Sequence, residues 1–214
     1  EDVAGTLGIL PLGTANDLAD SLGIPRNLNR ACERLAKGRH QLIDVGQVNG
    51  RFFANNSAVG LEALVTVAHD RMRWVQGNTR YILAAVKTIL SARDWQMHIR
   101  WDDGEYTGPA ILVSVGNSNR TGGKFYMTPH ARLDDGRLDF IFAGNLSRPQ
   151  LLRLLPQTFK GAHIHHPAVV YRQATHLHIT LDSPTPIQAD GEIFERQATD
   201  ITYRIFPARL RVIR

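Results

Sequence analysis

Three short clusters of polar residues could carry chemistry, and each follows a strand-like run. The first, Gly13 to Asp17, comes directly after the apolar run Leu7 to Leu12. A glycine lets backbone N–H groups approach a phosphate closely, the Thr14 hydroxyl can donate to a phosphate oxygen, and Asp17 can hold a metal ion through water. Such strand-to-helix turns are where α/β folds bind ligands. A simple cap on the following helix explains the same residues without any ligand.

The second cluster runs from Pro129 to Asp139 and holds three carboxylates, Asp134, Asp135 and Asp139. Turn carbonyls combined with one carboxylate make a natural site for a hard cation. The series of acidic residues that an EF-hand loop needs is missing. An ordinary Asp-Gly hairpin turn is the alternative interpretation.

The third cluster is Ala189 to Glu192, Ala-Asp-Gly-Glu, just beyond a strand-like run. A carboxylate on such a turn can act as a general base if it reaches a substrate hydroxyl. A solvated hairpin tip is the alternative.

Two further stretches carry weaker signals. Gly116 to Gly123 follows a strand-like run and is typical of a flexible glycine loop, which either lets a substrate approach closely or is only a long hairpin. His163, His165 and His166 lack a second matching pair of ligands, so the pattern favours surface histidines over a metal site.

The elements that must position these clusters change in character near residue 42. Before it, Asn27 can cap a helix that Gly38 ends. After it, Asn49-Gly50 and Asp103-Gly104 are hairpin signals between short runs. These runs are Gln41–Val48, Arg51–Ala58, Trp95–Trp101, Ala110–Val115, Leu138–Ala143, His176–Leu181 and Ile201–Arg204, followed by Leu210–Ile213.

Two helices interrupt the strands. One spans about Thr79 to Ala92, and the other begins at Ser147 and is bent or ended by Pro156. The expected fold is therefore α+β, mostly β. An antiparallel β-sandwich domain with two or more helices, residues 43–206, follows the end of an α/β nucleotide-binding domain, residues 1–42. A terminal strand in residues 207–214 can return to the first domain.

Composition limits the classes of protein to which the chain can belong. Of its 214 residues 43% are hydrophobic, which is enough for a core. A single cysteine, Cys32, excludes a disulfide framework within the chain. The net charge of +5 suits an anionic partner such as a nucleotide, a nucleic acid or a membrane surface, or it only aids solubility.

Taken together, the clusters resemble the diacylglycerol kinase catalytic family of lipid kinases, especially its bacterial, YegS-like branch. Five pieces carry the resemblance, in chain order: LGILPLGTANDLADSLGIP at 7–25, IDVGQVNG at 43–50, GNSNRTGG at 116–123, PHARLDDGRLDF at 129–140 and ADGE at 189–192. The first and fourth are the most specific. One departure is Lys124, which follows Gly122-Gly123 where the family commonly has a third glycine.

The resemblance implies an ATP-dependent kinase that phosphorylates diacylglycerol or a related lipid. By position, Thr14 would contact ATP, Asn16 and Asp17 would belong to the polar network behind the phosphates and Mg²⁺, and Glu192 would be the general base. A structural Mg²⁺ would take the backbone carbonyls of Arg132 and Arg137 and the carboxylate of Asp135. A non-catalytic lipid-binding module of the same fold and a sphingoid-base kinase are the alternatives.

The family's Gly-Gly-Asp-Gly-Thr phosphate loop is not among the 214 residues. The sequence thus predicts a truncated fragment that is inactive, or nearly so, by itself.

The expected partners are a nucleotide and a lipid at a membrane surface, and no nucleic acid. Arg71, Arg73 and Trp74, with Arg80 nearby, place cations beside an aromatic ring as an interfacial contact would, although a solvated helix edge has the same composition. The expected location is cytoplasmic, peripheral at the inner membrane surface. An apolar edge strand could also pair two chains into a homodimer.

Overall fold

The computed structural model describes residues 5–72 and 78–214. Arg73 and Trp74, two of the residues expected at a membrane surface, lie outside these ranges. The helices are α1 (Asp17–Ser21), α2 (Leu28–Lys37), α3 (Leu61–Arg71), α4 (Asn78–Leu90) and α5 (Arg148–Leu154), with 3₁₀ turns at Leu155–Lys160 and Ala162–His165. The strands are β1 (His40–Val48), β2 (Arg51–Phe53), β3 (Asn56–Gly60), β4 (Trp95–Trp101), β5 (Gly104–Ala110), β6 (Leu112–Gly116), β7 (Leu138–Ala143), β8 (Val169–Ala174), β9 (His176–Ala189) and β10 (Glu192–Ile213).

These ten strands form one hydrogen-bonded sheet that folds over a core. The order is β2-β1-β10-β9-β3-β6-β7-β8, and the β4–β5 hairpin joins at β9. Every ladder between these strands is antiparallel. Strand β9 pairs with β4 through Leu177–Leu181 and with β3 through Ile187–Ala189, so it belongs to both parts of the sheet. The expected mostly antiparallel β fold is confirmed.

Apolar side chains fill the space between the folded parts of the sheet. The largest are Trp95, Tyr203, Phe53, Phe140 and Met97, all buried. Smaller clusters lie under α5 and its 3₁₀ extension and beneath the N-terminal helices.

The hairpin signals are confirmed. Asn49-Gly50 joins β1 to β2 with φ of 44° and 83°, and Val48 pairs with Arg51 across it. Left-handed conformations at both turn residues are typical of the type I′ turn, which suits the twist of the flanking strands. Trp101 pairs with Gly104 at the other expected hairpin.

The expected strand Arg51–Ala58 is divided in two. It forms β2 and β3, with Ala54 and Asn55 between them. The backbone N–H groups of these two residues both donate to the Asp190 carboxylate at 2.8 Å. A side chain from a distant hairpin therefore takes two donors that a continuous strand would use in its ladder.

The expected strand Leu7–Leu12 is also wrong over most of its length. Among these six described residues, only Leu7 pairs with a strand, through a parallel bridge to Val212. Pro11 lacks an N–H group and is poorly suited to a central strand. In contrast, the expected runs Ile201–Arg204 and Leu210–Ile213 merge into β10, whose end pairs with the start of β1.

The expected helices form near their predicted bounds. Asn27 caps α2 through a bond from Arg30 N–H at 3.2 Å, Gly38 ends it in the left-handed conformation, and Pro156 lies where α5 gives way to a 3₁₀ helix. Helix α3 has no counterpart among the sequence predictions. Its residues Leu61, Ala63 and Val65 are buried together with polar neighbours, so it lacks the one-sided apolar stripe by which a surface helix is predicted.

Candidate functional site

A polar cleft of about 380 Å³ lies where the N-terminal turn meets the β9–β10 hairpin. Thr14, Asn16 and Asp17 line it together with Asp190 and Gly191. The structure therefore brings two of the three predicted clusters into one cleft. The remaining lining residues come from the N-terminal piece, β3, β9, α3, α4 and the loop after β6: Ile9, Ala15, Leu18, Ala19, Asn55, Asn56, Thr66, His69, Tyr81, Thr121, Gly122 and Gln188.

The turn before α1 is held by Asn16. Its backbone has φ of 56°, a left-handed conformation that asparagine adopts more readily than most residues. Its Nδ2 donates to the Gly13 carbonyl at 2.6 Å, and its Oδ1 accepts from the Gly13 N–H at 2.9 Å. The side chain makes no capping bond to α1. Instead, its two bonds to Gly13 hold the turn on which Thr14 lies exposed at the cleft.

Asp17 joins the N-terminal piece to the loop after β6. Its Oδ1 accepts the N–H of Gly123 at 2.9 Å. Burial raises the pKa of Asp17, while the Gly123 bond and the nearby Arg120 guanidinium oppose that rise. The loop is not freely flexible, because Asn117 and Ser118 are fully buried within it.

A second connection between the same two segments was not among the sequence predictions. Asp20 accepts from Arg120 at 2.7 Å and from Arg26 at 2.6 Å. The Arg120 guanidinium also stacks on the Tyr126 ring, 5.1 Å from its centroid. The aspartate and arginine side chains are 12% and 25% exposed, so this ion pair is partly shielded from water.

The Asp190 carboxylate binds backbone. It accepts N–H bonds from Ala54 and Asn55 at 2.8 Å and from Asn56 at 3.1 Å. Desolvation raises the pKa of Asp190, and these three donors oppose the rise. Asp190 thus fixes the hairpin against the start of β3.

Glu192, two residues later, has different surroundings. Its side chain is 77% exposed, and Oε2 lies 3.4 Å from the Arg51 guanidinium. It is on the hairpin that borders the cleft but is not one of the residues that line the cleft.

The Asp134-Asp135-Gly136 turn lies apart from the cleft lining. Oδ1 of Asp135 accepts the Arg137 N–H at 3.1 Å. Gly136, with φ of 72°, donates its N–H to Asp44 at 2.7 Å, and Ala208 donates to the other oxygen of the same carboxylate at 2.7 Å. Through these two bonds the buried Asp44, 2% exposed, ties the turn to β10. Its IDVG context in the sequence does not reveal this role.

An apolar cavity of about 100 Å³ adjoins the cleft. Tyr81 and Thr121 line both spaces. The cavity walls come mainly from α3, α4, α5 and the sheet: Leu61, Val65, Ala85, Ile89, Leu112, Phe125, Met127, Ile141, Ala143, Leu146, Leu151, Leu154, Leu155, Thr158 and Val169. A polar space and an apolar space thus meet at one aromatic ring and one hydroxyl.

Two titratable side chains also line the apolar cavity. Burial raises the pKa of Glu62 to about 7, although Ser114, Asn56 and Thr121 oppose the rise. Burial lowers the pKa of His163 to about 4, so this imidazole is neutral at pH 7. The expectation that His163 is a surface histidine is wrong, because its 3₁₀ helix turns it inward and its Nε2 lies 3.2 Å from the Met127 carbonyl.

Metal and membrane features are limited within the described residues. They hold no group of three or more histidine, cysteine, aspartate or glutamate side chains placed to bind a metal ion. The Mg²⁺ site predicted at Asp135 would use one carboxylate and two backbone carbonyls. Because it contains only one such side chain, this finding does not test it. No helix within residues 5–72 and 78–214 is long and apolar enough to cross a bilayer.

Comparison with protein families divides the chain at the end of β1. The diacylglycerol kinase catalytic domain matches residues 2–48. The YegS C-terminal NAD kinase beta sandwich-like domain matches residues 55–214.

Two curated relatives are named diacylglycerol kinase. The protein of Mycobacterium tuberculosis (strain ATCC 25618 / H37Rv) is 33% identical over 222 residues, covering 99% of this chain and 71% of the relative. The protein of Bacillus subtilis (strain 168) is 29% identical over 189 residues, covering 87% of this chain and 62% of the relative. The chain thus spans roughly two thirds of the length of these relatives.

Solved structures have the same fold. A crystal structure from Bacillus anthracis str. Sterne aligns with a TM-score of 0.77 at 25% identity, covering 97% of this chain and 68% of that one. The crystal structure of a diacylglycerol kinase from the same organism aligns with a TM-score of 0.70 at 22% identity, covering 97% and 66%. Since the sandwich-like domain matches most of the chain and the mycobacterial kinase is similar over nearly all of it, the chain belongs to the YegS-like branch of the diacylglycerol kinase family.

Proposed function

We propose that the complete gene product containing these residues is an ATP-dependent lipid kinase that transfers the γ-phosphate to the hydroxyl of diacylglycerol or a related lipid. The observation that carries this proposal is the meeting of a polar cleft and an apolar cavity at Tyr81 and Thr121. A phosphate donor needs polar groups and a lipid needs apolar walls. The neighbouring spaces supply both.

The nucleotide side of the reaction belongs to the N-terminal turn. Thr14 is exposed at the cleft and can donate to a phosphate oxygen, while Asn16 holds the turn and Asp17 fixes the facing loop. Phosphoryl transfer depends mainly on positioning and charge neutralisation. Because the family's Gly-Gly-Asp-Gly-Thr loop is not among the 214 residues, we expect these residues alone to transfer phosphate slowly or not at all.

A structural Mg²⁺ fits the donor types at the Asp135 turn. The backbone carbonyls of Arg132 and Arg137 and the Asp135 carboxylate are hard oxygen ligands of the kind Mg²⁺ prefers. Gly136 and Asp44 support the turn through a bond of 2.7 Å. Bound there, the ion would neutralise charge and stiffen the turn.

Glu192 is the proposed general base. As a carboxylate on the hairpin beside the cleft, it would take the proton of the lipid hydroxyl as the oxygen attacks the γ-phosphorus. The exposed Arg71 and the neighbouring Arg80 suit an acidic membrane surface, which supports the proposal that the kinase is cytoplasmic and peripheral at the inner membrane surface.

The test compares Glu192→Gln with Glu105→Gln in the complete gene product. Glu105 is a matched control, because its side chain is also mostly exposed, at 69%, and lies on β5 outside the cleft lining. We expect Glu192→Gln to lower kcat for radiolabelled phosphate transfer from ATP to diacylglycerol by at least about 100-fold, in line with the loss of a general base. Glu105→Gln should keep the wild-type rate.

Unchanged turnover in Glu192→Gln would exclude the role given to Glu192. No transfer to any hydroxylated lipid by the wild-type gene product, with lipid binding intact, would instead favour a non-catalytic lipid-binding module. A rate with sphingoid bases far above that with glycerolipids would assign a sphingoid-base kinase.

A further inference from the structure

A second pocket is lined by basic side chains and shares no lining residue with the cleft. It has a volume of about 360 Å³ and lies where the end of α2 meets the start of β1 and the end of β10. Its lining residues are Arg34, Lys37, Arg39, His40 and Arg214. Four of them carry a permanent positive charge, and no aspartate or glutamate of the described residues lines this pocket. The proposed kinase chemistry uses none of the five.

Two backbone contacts bring these side chains together. Gly38 ends α2 in the left-handed conformation, with φ of 64°, and its N–H donates to the Leu35 carbonyl at 3.1 Å. The chain then enters β1 through Arg39, whose carbonyl accepts the Arg214 N–H at 2.9 Å. The last turn of a helix and the ends of two strands thus place their cations around one space.

The guanidinium groups of this pocket are held in place but are not neutralised. Nη1 of Arg34 donates to the Gly23 carbonyl, and Nη1 of Arg214 donates to Gln41 Oε1 at 2.7 Å. Both acceptors are uncharged. None of the ion pairs within residues 5–72 and 78–214 involves a lining residue of this pocket. The pocket therefore presents oriented cations without a counter-charge from the described residues.

The helix dipole accounts for only part of this cluster. Arg34 and Lys37 lie in the last turn of α2, where cations offset the partial negative charge of the helix C-terminus. Arg39 and Arg214 lie beyond the helix, so the dipole does not explain them. A concave surface with one sign of charge concentrates counter-ions. Arginine forks match the geometry of phosphate oxygens, and a phosphomonoester carries more charge at pH 7 than a carboxylate or a phosphodiester.

We propose that this basic pocket binds a phosphomonoester group, carried either by a small soluble metabolite or by the head group of a phosphorylated lipid. The guanidinium groups donate to its oxygens, and Lys37 supplies a further positive charge. Because the pocket shares no residue with the cleft, this binding does not depend on phosphate transfer.

The first experiment titrates sn-glycerol 3-phosphate into the complete gene product and follows the Gly38 amide by NMR. We expect wild-type protein to bind with a Kd below about 1 mM at physiological salt. The double variant with Lys37→Gln and Arg39→Gln should bind at least about tenfold more weakly, because it loses two charged donors. Arg148→Gln, which removes an exposed arginine outside the pocket, is the matched control and should keep the wild-type Kd.

Dimethyl phosphate tests the charge of the ligand. It is a phosphodiester with one negative charge, so we expect its Kd at the Gly38 amide to be at least about fivefold higher than that of sn-glycerol 3-phosphate. Lys37 and Arg39 are exposed, so the double variant should fold, and its urea midpoint checks this. If it does not fold, Lys37→Gln alone decides, with an expected weakening of about threefold.

Vesicles distinguish the two sources of the phosphate group. Sedimentation compares phosphatidylcholine vesicles that contain phosphatidic acid with vesicles that contain about twice the mole fraction of phosphatidylglycerol, which matches the surface charge. A preference for phosphatidic acid that the double variant loses assigns the lipid head group. Binding of sn-glycerol 3-phosphate without that preference assigns a soluble metabolite.

Three outcomes would overturn the inference. They are no shift of the Gly38 amide up to about 20 mM sn-glycerol 3-phosphate, equal Kd values for the monoester and the diester, and equal Kd values in the double variant and Arg148→Gln. Each is separate from the test of the proposed function. Phosphate transfer without binding at Gly38 leaves the kinase proposal standing, and binding at Gly38 without transfer leaves the phosphate pocket standing.

Discussion

Asp190 and Glu192 show how strongly position within a hairpin determines what a carboxylate does. Asp190 lies in the two-residue turn with φ of 50°, from which it reaches three N–H groups of the neighbouring segment. Glu192 begins β10 and faces solvent. Residue type and spacing predict a functional turn here, but only the pairing of β9 with β3 reveals what the first carboxylate binds.

Asp44 is a second carboxylate whose role is visible only in the structure. We expect Asp44→Asn to lower the free energy of unfolding by about 2 kcal/mol, because the amide NH₂ cannot accept a hydrogen bond, so Gly136 or Ala208 loses its charged acceptor. Urea unfolding measures the change. Asp200→Asn, at a side chain 68% exposed, is the control and should change stability by less than about 0.5 kcal/mol. Equal effects of the two variants would show that the Asp44 contacts contribute little.

The limits of sequence-based prediction also appear at single residues. The clusters at Thr14–Asp17 and Asp190–Gly191 could be found from residue type and order, and the structure places both in one cleft. The pairing of Asp20 with Arg120 could not be found, because it joins motifs 100 residues apart and nothing in either motif specifies the other as its partner. Glu62 did carry a signal, a lone acid in the apolar run Ala58 to Val65, which the sequence predictions did not use.

Elements with local causes were predicted well and those with distant causes were not. Asn49-Gly50 fixes its hairpin through the left-handed conformations that both residues adopt, and Asn27 with Gly38 fixes both ends of α2. The break between β2 and β3 depends on Asp190, about 135 residues away, and could not be read from local sequence. Buried helix α3 was missed for a similar reason, since its surroundings and not its periodicity determine it.

The contact between α1 and the loop after β6 has a measurable stability. We expect Arg120→Met to lower the free energy of unfolding by about 1.5 kcal/mol, because it removes a partly shielded partner of Asp20 and a cation on the Tyr126 ring. The Gly123 amide should also exchange faster with deuterium as its bond to Asp17 loosens. Arg172→Met, which loses an exposed bond to a backbone carbonyl, is the control and should leave Gly123 exchange unchanged. Wild-type exchange at Gly123 in Arg120→Met would mean that the two contacts act independently.

At the scale of the whole molecule, Glu62 and His163 make stability depend on pH in opposite ways. The pKa of His163 is lowered to about 4, so below its unfolded value of 6.5 the unfolded chain binds the extra proton and stability falls with acid. The pKa of Glu62 is raised to about 7, so above its unfolded value of 4.5 the folded chain holds the extra proton and stability falls with base. Between pH 5 and pH 7 each effect amounts to about 2 kcal/mol, so the two nearly cancel.

Single variants should therefore reveal the hidden slopes. We expect His163→Leu to be more stable at pH 5 than at pH 7 by about 2 kcal/mol relative to wild type, and Glu62→Leu to show the reverse. Urea midpoints at the two pH values measure both, and each variant is compared with wild-type protein at the same pH. Parallel pH profiles in all three proteins would show that neither group titrates in the folded state as described.

The pairing of β1 with β10 has a consequence for synthesis on the ribosome. His40 pairs with Ile213 and Val48 with Tyr203, so β1 must wait for a partner that is translated about 160 residues later. At elongation rates of about 5 to 20 residues per second that delay is on the order of ten seconds. During it β1 has only the short β2 as a neighbour, and its unpaired edge is open to other nascent chains or to a chaperone. The yield of folded protein in cells should therefore depend on translation speed and chaperone supply, and not only on the stability of the finished protein.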